Sequence, residues 1–199
     1  MTSFLRLGAP QDLDAVVDTL VAAFDDYPWT RYVIPEDDYT SRLHGLQHLY
    51  LNHALNHGIV AVSEDGEGVV ALLPPDASEP GEETLERIIT LYGDRIDRLA
   101  GADQRSVDPD DWSLETLGVH PDHQGKGLGG ALIEFGLDAA GRQGARAVRL
   151  ETSEDRNVSL YQRYGFRITD RSQPPGGPPV WTMRTVLDTT GASNETLSA

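Results

Sequence analysis

The residues best suited to chemistry form a glycine-rich turn between an apolar segment and an amphipathic one. Residues 114–130 read LETLGVHPDHQGKGLGG, with five glycines from Gly118 to Gly130. Glycines at the start of a helix leave backbone N–H groups accessible at the positive end of the helix dipole. Such a turn can bind the oxygens of a phosphate. The alternative is a turn that only starts a helix, and the number of glycines disfavours it.

Two nucleotide-binding signatures fit this turn poorly. Gly125, Gly127 and Gly130 match the spacing of the dinucleotide fingerprint, and Glu151 stands about 20 residues further on, where that motif has its acidic residue. The fingerprint has its first glycine at the strand end, whereas HPDHQ intervenes here. The roughly 48 residues after Glu151 are also too few for the second half of a dinucleotide fold. A P-loop requires Ser or Thr after the Gly-Lys pair, and Gly127 stands there instead.

The turn and a later segment together resemble the GNAT family of N-acetyltransferases. Residues 124–129 (QGKGLG) resemble the pyrophosphate loop of that family, Gln/Arg-x-x-Gly-x-Gly/Ala. The segment Asn157-x-x-x-Tyr161-x-x-Tyr-Gly-Phe resembles its second signature, and the two motifs cover about residues 112–170. The resemblance implies acetyl-CoA as co-substrate. It also implies direct transfer of the acetyl group to a primary amine in a ternary complex, without a covalent enzyme intermediate.

The resemblance further implies roles for single residues. The coenzyme residues would be Leu117, Gly118, Val119, Gln124, Gly125, Lys126, Gly127, Leu128, Gly129 and Asn157. The backbone at the end of the preceding strand would pair with the pantetheine arm like an added strand. Tyr161 would protonate the leaving thiolate, and it shares one helix face with Asn157 because the two are spaced i, i+4. The alternative for Tyr161 is an aromatic packing residue.

Two carboxylates are candidates for the base that deprotonates the amine. An alkylammonium is mostly charged at pH 7, so a nearby group must accept its proton. Glu115 and Glu151 each interrupt an otherwise apolar strand, where a carboxylate is unusual unless it has a role or a partner. Burial would raise the pKa of either carboxyl. Either residue can be the base or can pair with an arginine such as Arg149, and a water chain remains a third possibility.

The residues that bind the acceptor amine are predicted in the first loop and in the helix after it. Three segments resemble the antibiotic-acetylating members of the family, which act on substrates such as puromycin: residues 22–35 (AAFDDYPWTRYVIP), PDHQGKGLG and LETS. The predicted substrate residues combine acids and aromatics suited to a cationic, partly aromatic amine: Asp25, Asp26, Tyr27, Trp29 and Tyr39. A solvated acidic loop is the alternative. The implied function is inactivation of an amine-bearing antibiotic; the alternatives are a protein or peptide N-acetyltransferase and an inactive CoA-binding module.

Charge is distributed unevenly along the chain. The formal net charge is −16, from 32 acidic and 16 basic residues. Residues 1–111 contain 22 acidic and 7 basic residues, whereas residues 112–199 contain 10 and 9. So acidic a chain argues against a nucleic-acid partner, and the lack of cysteine excludes thiolate nucleophiles and disulfides. We expect the coenzyme in the near-neutral half and the cationic amine in the acidic half, with weaker amine capture when Asp25 and Asp26 are neutralised.

A group of histidines raises the question of a metal. His44, His48, His53 and His57 fall on one predicted helix and include i, i+4 pairs. Such pairs can bind zinc, but the chain lacks the HEXXH motif and places no acidic third ligand for them. We predict no metal, and histidines that face solvent or line the substrate site.

The elements that must position these residues alternate between strand and helix. Period-2 and helical patterns predict strands near residues 3–7, 58–63, 68–73, 112–119, 147–152, 165–170 and 180–186, and helices near 13–24, 39–57, 84–99, 127–142 and 157–164. The fold class is α/β (α+β): a single domain over residues 1–187 with a mixed central sheet, splayed at the acyl-CoA site and flanked by helices. Residues 188–199 read as a disordered tail.

We expect a monomer or homodimer without a membrane partner, in the cytoplasm, since no signal-peptide pattern or long apolar run is present.

Overall fold

The computed structural model describes residues 4–99 and 108–187, and within them it contains seven strands and six α-helices. The strands are β1 (Leu5–Leu7), β2 (Ile59–Ser63), β3 (Gly68–Leu73), β4 (Trp112–Val119), β5 (Ala147–Thr152), β6 (Arg167–Ser172) and β7 (Val180–Val186). The helices are α1 (Leu13–Phe24), α2 (Pro28–Val33), α3 (Tyr39–His57), α4 (Glu82–Tyr92), α5 (Leu128–Arg142) and α6 (Asp155–Arg163). The predicted α/β class is confirmed.

All seven strands belong to one mixed sheet in the order β1-β2-β3-β4-β5-β7-β6. Neighbouring strands are antiparallel except β4 and β5, which are parallel. Parallel neighbours need a crossover connection, and α5 supplies it between β4 and β5. The glycine-rich turn is the first part of that crossover, so it lies at the carboxyl end of β4.

Helices cover both faces of the central strands because β2 and β3 are apolar on both faces. Successive side chains of a strand point to opposite faces. Ile59 and Ala61 belong to a core that includes residues of α5, whereas Val60 and Val62 pack with residues of α1 and α3. The unbroken apolar runs IVAVS and GVVALL are therefore the signature of strands sandwiched between two helix layers.

The sheet opens between its two parallel strands. β4 and β5 pair only at Trp112 with Val148, Ser113 with Arg149 and Leu114 with Leu150. β4 stays paired with β3 as far as Val119, and β5 stays paired with β7 as far as Thr152. The two strands therefore separate beyond the Leu114–Leu150 pair, and each presents a free backbone edge to the gap. This is the splay that the sequence predicts.

Two segments differ from their predicted form. The helix predicted over residues 84–99 ends at Tyr92, because Gly93 has a φ of +53°, and a 3₁₀ segment continues to Leu99. The break predicted after Phe24 contains the short helix α2, which begins at Pro28, since the fixed φ of proline suits the first helical position. The predicted tail at 188–199 lies outside the described residues. Among the described helices, none is long and apolar enough to cross a membrane.

Candidate active site

Two cavities meet where β4 and β5 separate. The first, which we call the aromatic cavity, has a volume of about 400 Å³ and lies between β4, β5 and helices α2 and α3, with Tyr27, Trp29, Tyr50 and Tyr92 in its wall. The second, the glycine-turn cavity, has a volume of about 500 Å³ and extends along the end of β4 to the turn and α6. The residues that line both cavities are Phe24, Tyr27, Leu117, Asn157 and Tyr161. Any group that passes from one cavity to the other passes these side chains.

The glycine-turn cavity brings together nine of the ten residues predicted to bind coenzyme. They are Leu117, Gly118, Val119, Gln124, Gly125, Gly127, Leu128, Gly129 and Asn157. Leu117–Val119 belong to the part of β4 that has lost its β5 neighbour, so their outer backbone groups are available to an added strand-like ligand. The chemistry of this cavity is therefore mainly that of backbone donors and acceptors.

The turn itself has the backbone that anion binding requires. Gly125 and Gly127 have φ values of +74° and +89°, in the left-handed region that L side chains rarely adopt, and Gly127 is the N-cap of α5. The N–H groups of the first helical turn have no intrahelical acceptor, and residues 128–130 line the cavity. No heavy atom lies within 4 Å of the place where a Cβ on either glycine would stand. The open space and the exposed donors form a cradle for phosphate oxygens.

Lys126 is the exception among the predicted coenzyme residues. It does not line the cavity, and its Nζ donates a hydrogen bond to the Asp122 carbonyl oxygen at 2.9 Å. The Gln124 side chain also turns inward, donating from Nε2 to the Val119 carbonyl oxygen at 2.9 Å. Both side chains therefore hold the shape of the turn, and backbone groups are left to face a ligand.

Three basic side chains of this cavity were missed in the sequence. Arg156 and Arg163 line it from α6, and His123 lines it from the turn, where its Nδ1 lies 2.8 Å from Glu67 Oε2. Residues 156, 157, 160 and 163 of the cavity wall follow helical spacing, so the signal was present in the amphipathic pattern of α6. The two guanidinium groups suit a polyanionic ligand, and Arg156 also donates from Nε to Glu154 of the same wall.

Tyr161 stands at the junction of the two cavities with its side chain 6% exposed. Burial raises the pKa of its phenol well above the ordinary value, and the nearby Tyr27 contributes in the same direction. Within residues 4–99 and 108–187, its hydroxyl forms no hydrogen bond. Its ring packs edge-on against Phe166, with the ring centroids 5.6 Å apart. The phenol thus stays protonated at neutral pH and is positioned to donate a proton into the junction.

Tyr27, predicted as a substrate residue, also lies at the junction. Its hydroxyl oxygen accepts a hydrogen bond from the Ser153 backbone N–H at 2.7 Å and lies 3.1 Å from Thr152 Oγ1. Burial raises the pKa of this phenol too. These bonds attach the start of α2 to the end of β5. Tyr27 therefore anchors the start of α2 to the end of β5 and forms part of both cavity walls.

Glu115 and Glu151 are the first residues after the last β4–β5 pair, and both line the aromatic cavity. Glu115 is the extra residue of a bulge, because Ala71 pairs with Thr116 and Leu72 pairs with Leu114. Corresponding residues of parallel strands point to the same face, so the two carboxylates face one opening. Both side chains are exposed, and the burial that the sequence suggested for them is not found. Neither forms an ion pair with Arg149.

Three of the five predicted substrate residues lie outside the aromatic cavity. Asp25 and Asp26 form ion pairs with Arg31 at 3.3 and 3.4 Å, and Tyr39 donates from its buried hydroxyl to Thr30 Oγ1 at 3.0 Å. Their side chains belong to the far side of α2, where they fix the loop. Only Tyr27 and Trp29 of the predicted set line the cavity.

The rest of the aromatic wall comes from helices whose role the sequence did not reveal. Gln47, Tyr50, Leu51 and Ala54 line the cavity from α3, and Tyr92 lines it from the end of α4. The Tyr50 hydroxyl donates to the Tyr92 hydroxyl at 3.2 Å, and burial raises the pKa of both phenols. The i, i+3, i+4, i+7 spacing on α3 was a detectable signal, but it is equally typical of core packing.

The four histidines of α3 lie on other faces of that helix. His44 and His48 lie 3.7 and 3.9 Å from Asp18 and Asp14, and the rings of His53 and His57 pack at 4.6 Å. None of them lines the aromatic cavity. Across residues 4–99 and 108–187, no group of three or more metal-ligating side chains converges.

The model of the acetyltransferase (GNAT) family matches residues 21–166, which include both cavities' junction residues and the glycine-rich turn. The chain therefore belongs to the GNAT family of acetyltransferases. The match extends over more than half of the 199 residues and ends at Phe166, within the second motif.

Curated relatives resemble one part of the chain. The mycothiol acetyltransferase of Clavibacter sepedonicus is 37% identical over 81 residues, which are 40% of this chain and 27% of that protein. The N-alpha-acetyltransferase RimI of Mycobacterium tuberculosis is 33% identical over 79 residues, 38% of this chain and 49% of that protein. The chain thus spans about a quarter to a half of the length of these relatives. These relatives are not named as antibiotic-acetylating enzymes, so the comparisons support the family and not the narrower group expected from the sequence.

Solved structures match the whole fold. A structure from Corynebacterium glutamicum described as histone acetyltransferase HPA2 and related acetyltransferase has a TM-score of 0.74 at 25% identity, covering 96% of this chain and 99% of that one. The acetyltransferase yncA of Salmonella typhimurium, solved with acetyl-CoA, has a TM-score of 0.56 at 21% identity, covering 98% and 100%. The second likeness concerns the fold alone.

Proposed function

We propose that this chain is an acetyl-CoA-dependent N-acetyltransferase whose acceptor is the primary amine of a small molecule. The observation that carries the proposal is the meeting of two chemically different cavities at Tyr161. One presents backbone donors and basic side chains, as a polyanionic coenzyme requires, and the other presents carboxylates and aromatic rings, as a cationic amine requires. Acetyl-CoA would supply an acetyl thioester, which is the acyl donor of the reaction.

The mechanism assigns one proton transfer to each side of the junction. Glu115 or Glu151, directly or through water, accepts the proton of the ammonium so that the neutral amine can form the new N–C bond. The nitrogen loses its second proton to water as the adduct collapses, and as the C–S bond breaks Tyr161 donates its proton to the sulfur and is reprotonated from solvent. Holding both reactants at one junction makes the transfer effectively intramolecular. No covalent enzyme intermediate is required.

The size and lining of the aromatic cavity support a small acceptor. Its volume of about 400 Å³ lies within the usual range of ligand sites, about 300–1,000 Å³. The rings of Tyr27, Trp29 and Tyr50 favour an acceptor with an aromatic part, and the carboxylates favour its cationic amine. An amine-bearing antibiotic such as puromycin has this chemistry, and its inactivation in the cytoplasm, by a monomer or homodimer, is the role we propose.

A peptide N-terminus is the second candidate acceptor. The similarity to the RimI N-alpha-acetyltransferase favours it. A peptide would have to leave the aromatic cavity by its open side after its first residue. A coenzyme-binding protein without catalytic activity is the remaining alternative.

The proposal is tested with purified protein, acetyl-CoA and a panel of amines: puromycin, phenethylamine and a short peptide with a free N-terminus. We expect release of free thiol together with an acetylated small amine identified by mass. Acetylation of the peptide alone would select the second candidate. Binding of acetyl-CoA without acetylation of any amine would leave only the binding protein.

The base is identified by replacing Glu115 and Glu151 with glutamine, singly and together. The variant that lacks the base should lose about 10²–10⁴-fold in kcat at pH 7 and regain part of the loss at higher pH, where the amine is already neutral. The pH dependence of kcat/KM of each variant is the measurement. If the double variant stays within about threefold of the parent, the water chain carries the proton.

Asp25→Asn combined with Asp26→Asn should leave the KM for the amine within about twofold, because exposed, paired carboxylates interact weakly with a distant charge. This reverses the expectation from the sequence, since both acids pair with Arg31 outside the aromatic cavity. The KM is measured at saturating acetyl-CoA, with Glu115→Gln as the comparison inside the cavity. A tenfold rise in KM for the double Asp variant would restore these residues to the acceptor site.

A further inference from the structure

Arg149 is a cation in the wall of the aromatic cavity whose Nε has no hydrogen-bond partner among the residues that the structure describes. It lies on β5 between Ser113 of β4 and Arg184 of β7 in the sheet register. Its Nε is buried and has no hydrogen-bond partner. Among the ion pairs of residues 4–99 and 108–187, none includes Arg149. Buried donors are nearly always satisfied in folded proteins, so an unsatisfied one in a cavity wall points to a ligand or an ordered water.

The neighbouring acids do not compensate Arg149. The nearest arginine in register, Arg184, holds Asp111 with two hydrogen bonds, from Nε at 2.6 Å and from Nη2 at 2.8 Å. That carboxylate is 4% exposed and fully engaged. Glu115 and Glu151 line the same cavity but form no ion pair with Arg149. The cavity therefore contains carboxylates and one separate guanidinium, which is a site for a ligand that carries both a cation and an oxygen acceptor.

The spacing of these charges limits how far apart the two ligand groups can be. Arg149 and Glu151 are two residues apart on one strand, so they share a face with a Cα separation of about 6.5–7 Å. Long side chains at that separation can reach adjacent atoms of one small molecule. An ammonium at the carboxylates would then have its oxygen acceptor only a few bonds away. An amine whose neighbouring carbon carries a carbonyl or carboxylate satisfies this distance.

We propose that Arg149 binds the oxygen of an α-aminoacyl acceptor, H₃N⁺–CHR–C(=O)–, with R against the aromatic wall. This assignment rests on the proposed acetyltransferase function and narrows its acceptor class. The guanidinium donates to the carbonyl or carboxylate oxygen, while Glu115 and Glu151 face the amine. Free amino acids, aminoacyl amides and peptide N-termini share this unit, and simple alkylamines lack it.

The test uses three matched acceptors: phenylalanine, phenylalanine amide and phenethylamine. They share the ring and a primary amine and carry a carboxylate, a carboxamide or neither; since the carboxamide also lowers the pKa of the amine, the dependence on Arg149 decides the test and not the preference of the parent alone. With the parent enzyme we expect kcat/KM for at least one oxygen-bearing acceptor to exceed that for phenethylamine by tenfold or more. Arg149→Met should remove this preference by raising KM for the oxygen-bearing acceptors at least tenfold, with phenethylamine changed less than twofold. Arg149→Lys should restore part of it.

Controls separate a binding role from a structural one. Arg142→Met removes an exposed guanidinium at the end of α5, outside both cavities, and should leave all three acceptors unchanged. Acetyl-CoA affinity and the melting temperature should be the same in Arg149→Met and the parent. If Arg149→Met slows phenethylamine as much as the others, or the parent has no preference, the inference is wrong.

Calorimetric titration of the same three compounds distinguishes this inference from the function on which it rests. Acetylation of all three without dependence on Arg149 keeps the function and overturns the inference. Arg149-dependent binding of phenylalanine or its amide without acetylation keeps the inference and overturns the function. The absence of both binding and acetylation overturns both. Comparison of phenylalanine with its amide shows which source of the oxygen the site prefers.

Discussion

Replacing Tyr161 with phenylalanine is expected to lower kcat by about 10²–10⁴-fold and to leave acetyl-CoA affinity within about twofold. The change removes one oxygen and keeps the ring that packs against Phe166, so the helix and both cavity walls should persist. The thiolate then leaves without a proton donor, which affects the chemical step and not binding. Initial rates at saturating acetyl-CoA and amine give kcat, and titration of the coenzyme gives its affinity.

Tyr164→Phe is the matched control for this variant. Tyr164 is three residues further on and lines neither cavity. Its hydroxyl packs against Gly130, so closely that a Cβ on residue 130 would collide with it. Loss of that hydroxyl should leave kcat within about threefold of the parent. Equal kcat values for Tyr161→Phe and the parent would reassign Tyr161 to packing.

The raised pKa of Tyr161 has a consequence for the stability of the fold at high pH. Its pKa is raised by burial, so the folded state prefers the protonated phenol more strongly than the unfolded chain does. The corresponding stability is complete below the unfolded pKa of about 10 and is lost as pH rises through the folded pKa. Urea unfolding of the parent and of Tyr161→Phe is measured at pH 8 and at pH 10.5. Between these two pH values the free energy of unfolding should fall less in the variant than in the parent.

The second large effect is expected in the glycine-rich turn. Replacing Gly125 and Gly127 together with alanine should raise the acetyl-CoA Kd about 10- to 100-fold, which corresponds to about 1.4–2.8 kcal/mol. Both positions have positive φ, so an alanine there favours a relaxed backbone that turns the N–H groups away from the phosphate. The new methyl groups also point into space that is open in the parent and that a ligand would fill. Calorimetric titration of acetyl-CoA measures the change.

The chain offers a closely matched control for the backbone strain. Gly144 and Gly176 have φ values of +92° and +69°, and a Cβ on either would also meet nothing within 4 Å. Both lie outside the two cavities. The two double variants should therefore lose similar stability, about 1–2 kcal/mol per site, while only the turn variant loses coenzyme affinity. Equal losses of affinity would show that the turn acts through stability alone.

Local patterns predicted much of the fold, and the family resemblance supplied the proposed coenzyme residues. The bounds predicted for α3, β4, β5 and β7 match the structure. The turn at Gly125 and Gly127 could be predicted because its function depends on backbone conformation, which glycine spacing encodes directly. The same holds for Asn157 and Tyr161, which need only one helix turn to share a face.

The acceptor side was predicted less well, because it is assembled from residues distant in sequence. Asp25 and Asp26 have the right chemistry for an amine, but Arg31 follows one helical turn later and pairs with both. Tyr50 and Tyr92 come from different helices and meet through their hydroxyls, which no local pattern records. The unsatisfied Nε of Arg149, within the described part of the chain, is likewise a property of packing, and the nearby Asp111 is engaged by Arg184 across the sheet.

The sequence by itself determined which segments form strands and helices, where the glycine-rich turn lies, and which family the chain resembles. These features depend on periods and spacings within a few residues. A splayed sheet was expected, but only the tertiary structure decided that β4 and β5 separate after Leu114 and Leu150 and that Glu115, Glu151 and Arg149 line one cavity. Strand register and helix packing choose which side chains meet, and that choice depends on the whole chain burying its apolar surface at once.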